Sequence, residues 1–542
     1  MSDPSDHPSV SVIVSWSSES HSDRSAMDAC ITSILGQGFD SIELIVLGAC
    51  DAPTDPLAEG AAHGLDGRIH RIPGPFASRA AAFNAALAKT RGDWVLLLGT
   101  DVAPVQLKRS AVTAFLTAAG RHPEAGMVNA DYERVEADGK RHEIHLSPFH
   151  HGRLRETTDF GRAVLYRAEA LRAVGGFDER YTVAEQYDLR LRISERYSLI
   201  HISSRRDGSL YSDAGSASGR DVFDYLLDDG VTRQEMEQAL TEHLRRTGAY
   251  LAPGVNIQAV PQPANAQYEL VASVIIPVNE RPEFIGAAIE SVQAQTLPEV
   301  EAIIVVNGGP DDPTIPVVRR YLPDGDLYDA RKPSIHLHVL DINNIGLCLN
   351  VGLAAARGRF YVQLDSDDRL KPHAVELLIA VFESDPTVGM VIGSYEVWDR
   401  DDATGQVTRN PAVPVVTHDE WTPDNGRNNL LRVNGAGAPR AAPIEVIRQV
   451  GGFGCNDTPY SRNYGEDYDL VLRISERYTI GRVWEPIYEV VRHAGGTDHS
   501  IDQATAGRND DAKDDMRREA LGRRQAINRR LGLTAKQCGT GL

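Results

Sequence analysis

Leu191-Arg192-Ile193-Ser194-Glu195-Arg196-Tyr197 returns letter for letter as residues 472–478, and around it the chain repeats a series of landmarks in one order. Arg91-Gly92 answers Arg357-Gly358, Gly126-Met127-Val128 answers Gly389-Met390-Val391, Tyr132-Glu133 answers Tyr395-Glu396, and Val174-Gly175-Gly176-Phe177 answers Val450-Gly451-Gly452-Phe453. A shared order of this kind marks a gene duplication. The length of 542 residues also demands two or more domains, because a single core stops growing near ~250–300 residues.

Each copy opens on a short β-branched run, Ser9 to Ser15 and Ser273 to Val278, which reads as a buried strand. In the second copy Phe284, Ile285, Ala288, Ile289 and Val292 follow at helical spacing over Glu283 to Ala294, and a strand is predicted at Val300 to Val306. Met27 to Leu35 and Ile42 to Leu47 are the equivalents in the first copy. Small-residue helices at Ala80 to Lys89 and Cys348 to Ala356 then lead to apolar strands at Trp94 to Leu98 and Phe360 to Leu364. Right-handed βαβ units result, so each copy is expected to be an α/β domain with a mainly parallel sheet flanked by helices. The boundaries follow: a first domain over 1–215, a helical connector and linker over 216–267, a second domain over 268–500 and a charged helix or tail over 501–542. The connector reads as two amphipathic helices over Asp221 to Arg246. The tail reads as solvated or partner-docking, with an Arg-rich end that leaves room for contact with anionic lipid.

Acidic residues outnumber basic ones 76 to 56, a net charge of −20, which excludes a general nucleic-acid surface. Five cysteines without a CxxC or zinc spacing suit reduced thiols. Met1 to Ser11 lacks a basic stretch leading into an apolar core, and no apolar run approaches the ~20 residues of a spanning helix. The expected location is cytoplasmic, with peripheral attachment at the inner face of the membrane left open.

The copies differ where chemistry would lie. The strand ending at Leu364 runs into Asp365-Ser366-Asp367-Asp368, two carboxylates two positions apart at the carboxyl edge of a sheet, where ligands of open α/β folds sit. Two hard oxygen donors suit Mg²⁺ or Mn²⁺. Taken alone, such acids are equally those of a solvated loop or helix cap. Glu466-Asp467 follow Gly465 at the amino end of an amphipathic helix, where a carboxylate is either a fixed proton acceptor or an ordinary cap. His493, before Gly495-Gly496, is a metal-reaching imidazole or a lone surface histidine. The first copy has Gly99-Thr100-Asp101 in place of Asp365-Ser366-Asp367, and Glu185-Gln186 in place of Glu466-Asp467.

This ordered set resembles the inverting glycosyltransferases of family 2, with the nucleotide-diphospho-sugar transferase fold called GT-A, over Ser9 to about Ser212 and Ser273 to about His499. The resemblance implies two tandem GT-A-like domains. By it, Asp365, Asp367 and His493 would hold a divalent cation, Mn²⁺ or Mg²⁺, on the diphosphate of a nucleotide-sugar donor. Asp467 would deprotonate the hydroxyl of a glycan or other acceptor, and Glu466 would orient that acceptor. Donor contacts would come from Pro277, Val278, Asn279, Glu280, Asn307, Asn344, Gly346, Asp365 and Ser366. The chain departs from the family at Val306-Asn307-Gly308-Gly309-Pro310-Asp311, where a V-D-D-G-S-like stretch is usual, and at Asn344 to Asn350, which lacks the usual arginine.

Counting from the shared heptapeptide places Ser212 opposite His493, and Gln186 cannot accept a proton as a carboxylate does. The first copy therefore reads as a degenerate module, His150, His151, Asp131 and Glu133 being scattered surface groups or an unfamiliar site. Three rivals stand beside a single active second domain: a bifunctional polysaccharide synthase, a non-catalytic carbohydrate-binding scaffold, and a nucleotidyltransferase. The last would want a basic, Gly-rich phosphate loop that Pro277 to Pro282 does not supply.

Overall fold

The computed structural model describes residues 9–15, 24–38, 41–48, 68–99, 104–204, 208–214, 230–261, 268–418, 424–433, 435, 437–455, 464–495 and 503–533. The chain divides into two compact units, Met1–His243 and Leu244–Leu542.

The first unit contains β1 (Val10–Val14), β2 (Ile42–Leu47), β3 (Ile69–Ile72), β4 (Trp94–Leu98), β5 (Val105–Leu107), β6 (Ala125–Ala130), β7 (Tyr132–Val135), β8 (Arg141–Ile144), β9 (Ala163–Arg167), β10 (Ser198–Ile202) and β11 (Tyr211–Ala214). Seven form one sheet in the order β10-β6-β9-β4-β1-β2-β3, and β5-β11-β7-β8 form a second. β9 alone runs antiparallel to its neighbours β4 and β6. Successive residues of the parallel strands feed two apolar layers, Val12, Leu44 and Leu96 with Phe115 on one face, Ile13, Ile45 and Leu97 with Phe83 on the other. A sheet covered on both faces needs such continuous apolar runs.

The second unit repeats this order as β14 (Ser334–Val339), β13 (Val300–Val306), β12 (Leu270–Val278), β15 (Gly358–Gln363), β19 (Arg440–Pro443), β17 (Val388–Arg400) and β20 (Thr479–Arg492), with β16 (Arg369–Leu370) beyond β20 and β18 (Val407–Arg409) on β17. β12, β13, β14 and β15 are parallel, and β19 is antiparallel between β15 and β17. The strands split in the first unit as β6/β7 and β10/β11 are here the unbroken β17 and β20, which pair in parallel over most of their length.

Both units are fastened by one buried polar network. In the second, Ser273 donates to Glu301 at 2.7 Å, the Arg357 backbone and Nε donate to the same carboxylate at 2.8 Å each, and the Gly358 N–H reaches Ser273 Oγ at 2.9 Å. In the first, Ser11, Glu43, Arg91 and Gly92 repeat those contacts at 2.5, 2.6, 2.9 and 2.9 Å. The repeated Arg-Gly pair is thereby explained. The arginine neutralises a buried glutamate, and the glycine lets two strands approach where a Cβ would strike the Ala272–Ser273 backbone.

Of the two helices expected over 221–246, Gly230–Arg246 is described as one helix, and residues 221–229 lie outside the described set. The charged Gln503–Arg530 helix is not merely solvated: Lys513, Asp514, Arg517, Ala520, Arg524 and Asn528 are buried along it. Their partners neutralise or cap them, Asp514 taking Arg517 at 2.5 Å and the Arg427 carbonyl taking Arg524 at 2.6 Å. Among the described residues no helix is long and apolar enough to cross a membrane.

Candidate active site

The parallel strands of the second unit end together. Val278 closes β12, Val306 closes β13, and the Asn307 N–H donates to the Val278 carbonyl at 2.9 Å. Asn279, Glu280, Asn307, Asp365 and Ser366 thus share one carboxyl edge, whereas Pro277 and Val278 are buried in the ladder. Asn307 Oδ1 is buried without a hydrogen-bond partner among the described residues. Asp312, absent from the sequence reading, holds the loops at this edge by accepting from the N–H groups of Glu280 at 3.0 Å and Thr314 at 2.8 Å.

Asn344 and Gly346 lie at the start of the helix Ile345–Ala355. Asn344 caps it by accepting from Leu347 N at 2.8 Å while donating to the Cys455 carbonyl at 2.8 Å. Gly346 lies against the Gly454 carbonyl, where a Cβ would collide.

The turn Asp365 to Asp368 is held to β20. Tyr488 Oη accepts from the Asp365 N–H at 3.1 Å, and buried Asp368 accepts from the Val491 N–H at 2.8 Å. Directly after this strand comes His493, whose Nε2 stands 3.0 Å from Asp367 Oδ2 while Nδ1 accepts from Gly495 N at 3.2 Å. Phe284 lies beneath the imidazole at 4.3 Å. Asp365 is turned to Gln363, which donates to it at 3.1 Å. Among the described residues no three His, Cys, Asp or Glu side chains stand ready to hold a metal, so Asp365, Asp367 and His493 are not a preassembled triad. The Gln363 amide holds one Asp365 oxygen.

Across this edge Glu466 and Asp467 begin the helix Glu466–Ser475, after Gly465 in a left-handed conformation (φ 88°). Arg440, which opens β19 and was missed in the sequence, reaches Asp467 Oδ2 with Nη1 at 2.8 Å and approaches Gln363 at 3.4 Å. Burial opposes ionisation of Asp467, but Arg440 and then Lys513 outweigh it and hold the carboxyl below its ordinary range. Burial and the neighbouring Asp467 charge push Glu466 up to about 8. Burial also raises Asp365, against Arg440 and with Asp367; burial, Asp367 and Asp365 together raise Asp368 well above the usual carboxylate range. Asp365 is thus electrostatically linked to Asp467 and Glu466 through one shared arginine. Asp467 keeps 21% of its side-chain exposure, and its second oxygen accepts from the Tyr468 N–H at 2.7 Å.

Register identifies what stands at the corresponding positions of the first unit. β4 pairs Leu97 with Val164, and the corresponding row of β15 and β19 is Gln363 with Arg440. Val164 and Gln186 replace Arg440 and Asp467 as a pair, and Gly99 replaces Asp365. Ser212, paired with Glu133, corresponds to Glu489, paired with Glu396, and not to His493. Extra residues between β10 and β11 displaced the count from the heptapeptide. The position answering His493 is residue 216, outside the described set together with Asp101. Nor do His150 and His151 join Asp131 and Glu133. Asp131 is enclosed by His201 at 2.6 Å and His145 at 3.2 Å, and Glu133 takes Lys108 and Arg141 at 2.7 Å each.

The family model described as Glycosyl transferase family 2 matches residues 11–173 and 273–435, more than half of the chain. The O-antigen biosynthesis protein RfbC of Myxococcus xanthus is 29% identical over 54% of this chain and 23% of its own length. Chondroitin synthase of Pasteurella multocida is 26% identical over 42% of this chain and 21% of its own length. The chain thus spans about a quarter or less of each of these two relatives. S. aureus TarS 1–349 in complex with UDP-GlcNAc is 18% identical, with a TM-score of 0.33, over 48% of this chain and 75% of that one. Mannosyltransferase PcManGT from Pyrobaculum calidifontis, in complex with GDP-Man and Mn²⁺, is 15% identical with a TM-score of 0.31, over 58% and 87%.

Proposed function

From the premise that the chain belongs to glycosyl transferase family 2, we propose that its second unit transfers a sugar from a nucleotide-diphospho-sugar to a hydroxyl acceptor by a single inverting displacement, with Asp467 as base. The observation that carries this reading is the Arg440–Asp467 pair at 2.8 Å. A carboxylate kept ionised beside two acids held toward their neutral forms divides the roles, one acceptor of a proton among groups that retain theirs.

The acceptor hydroxyl meets the Asp467 carboxylate and gives up its proton to it as the hydroxyl oxygen bonds to the anomeric carbon. The bond from that carbon to the diphosphate oxygen breaks on the opposite side, its electron pair leaving with the nucleoside diphosphate, and the configuration inverts. Glu466, protonated below about pH 8, has a donor hydrogen for an acceptor oxygen. The donor would lie on the carboxyl edge formed by Asn279, Glu280, Asn307, Asp365 and Ser366.

The donor set at Asp365, Asp367 and His493 fits Mn²⁺ or Mg²⁺ in kind: hard oxygens and an imidazole, in a cluster where burial and then neighbouring carboxylates raise Asp365 and Asp368. Bound there, such an ion would offset charge on the departing diphosphate. The first unit is proposed to be degenerate, supported by the joint loss of Arg440, Asp467 and Asp365 equivalents.

The test uses a panel of UDP- and GDP-sugars. A donor recognised by the native fold raises the melting temperature. Asp467→Asn should keep that rise and lose nearly all nucleoside diphosphate release with acceptor. Unchanged turnover would reject Asp467 as base.

A further inference from the structure

The Gln503–Arg530 helix lies beyond both segments matched by the family and has no described counterpart in the first unit. It nevertheless packs onto the turn that carries the acid pair. A Cβ on Gly465 would meet Met516 Cε at 2.9 Å and Lys513 Cγ at 3.7 Å, so the helix lies directly against the Gly465 turn. The buried Lys513 donates from Nζ to Tyr464 Oη at 3.1 Å, and the ammonium stands 4.2 Å from the Tyr464 ring and 5.7 Å from that of Tyr468. Arg517, one turn on, covers Tyr468 at 4.9 Å and donates to the Val433 carbonyl at 2.7 Å. Tyr468 in turn donates to the Leu430 carbonyl at 2.7 Å. Tyr464 and Tyr468 bracket Glu466 and Asp467.

We propose that this helix is a working part of the catalytic centre, with Lys513 a positioning residue that fixes the Gly465–Asp467 turn and places a second positive charge behind Asp467. The inference rests on Asp467 being the base. The groups facing Asp467 are Arg440 from β19, Glu466 on its own helix, Tyr361 on β15 and Asp365 just past its end, and Lys513 from the C-terminal helix. Of these, only Arg440 and Lys513 are cations, so removing Lys513 leaves Arg440 alone against the acids. A surface lysine would be indifferent to substitution. A buried one on a phenol sets both where the carboxylate sits and how readily it takes a proton.

The experiment compares wild type, Lys513→Met, Lys513→Arg, Tyr464→Phe and Asp467→Asn in the full chain. The probe is the panel sugar nucleotide turned over fastest, followed as nucleoside diphosphate release from pH 4.5 to 9. Lys513→Met should lower kcat roughly tenfold and move the acidic limb of the profile upward by about one pH unit, with donor KM unchanged. Lys513→Arg should restore the limb. Tyr464→Phe, which keeps the ring, should shift the limb in the same sense by less, and reports even if Lys513→Met does not fold. An unmoved limb in Lys513→Met and Tyr464→Phe, or an unrestored one in folded Lys513→Arg, overturns the inference. Turnover retained in Asp467→Asn would instead remove the base on which it stands.

Discussion

Replacing Arg440 by the valine found at Val164 puts the electrostatic account of the site to its strictest test. Arg440 is the partner of a carboxylate 2.8 Å away and 21% exposed, in a patch that also holds Asp365 and Glu466. Removing one member of a buried pair costs about 3–5 kcal/mol, and the residual exposure of Asp467 places Arg440→Val near the low end, about 3 kcal/mol. For a unit of this size that is a fall of about 6 °C in melting temperature. Asp467, left without its nearest cation, should be protonated at neutral pH, and turnover should fall by about two orders of magnitude. The double variant Arg440→Val/Asp467→Gln recreates the combination carried by the first unit. It should regain most of the stability and none of the activity, a coupling of about 2 kcal/mol in a double-mutant cycle. Calorimetry and turnover on the four proteins complete the test. An Arg440→Val protein within 1 °C of wild type, or a double variant no more stable than the single, would refute the reasoning.

Glu466, whose folded value near 8 lies above its unfolded 4.5, contributes stability that is full below pH 4.5 and lost as pH rises through 8. Glu466→Gln should therefore gain on wild type in melting temperature between pH 5 and 9, with a ceiling of about 4–5 kcal/mol; a constant difference across that range would count against the shift. Gln186→Ala should change turnover less than about twofold, and a loss of more than tenfold would return the first unit to catalysis. Chelation by EDTA should abolish transfer and Mn²⁺ or Mg²⁺ restore it; full activity in chelator would remove the ion from the mechanism.

Much of the fold was legible because burial writes itself into composition. Val274, Ile275 and Ile276 or Ile303, Ile304 and Val305 have no reading other than a strand covered on both faces. The acids at 365–367 and 466–467 were legible because each ends a strand or begins a helix, where ligands and dipoles converge. Arg440 was not, since Ala438-Pro439-Arg440-Ala441-Ala442-Pro443 has no strand periodicity. The available signal was a charge opposite Val164 once the copies are aligned through Val450 and Val174. Lys513 was hidden by its own helix, where buried and solvated charges look alike until a partner such as Tyr464 is in place. Ser212 was misassigned because counting along a sequence ignores insertions, whereas strand pairing does not. Asn344 and Gly346 sit where donor contacts were expected, yet a cap and a close backbone contact already account for them.

The joint exchange of Arg440 and Asp467 for valine and glutamine has a historical implication. Val164 is buried and Gln186 partly buried, so an arginine or an aspartate at one of these positions alone would lack the partner it has in the second unit. Reversion must therefore pass through an unstable intermediate, and the exchange works as a ratchet. On the proposal that the first unit is degenerate, selection on folding keeps the pair from reappearing stepwise and leaves that half free to diverge toward other duties.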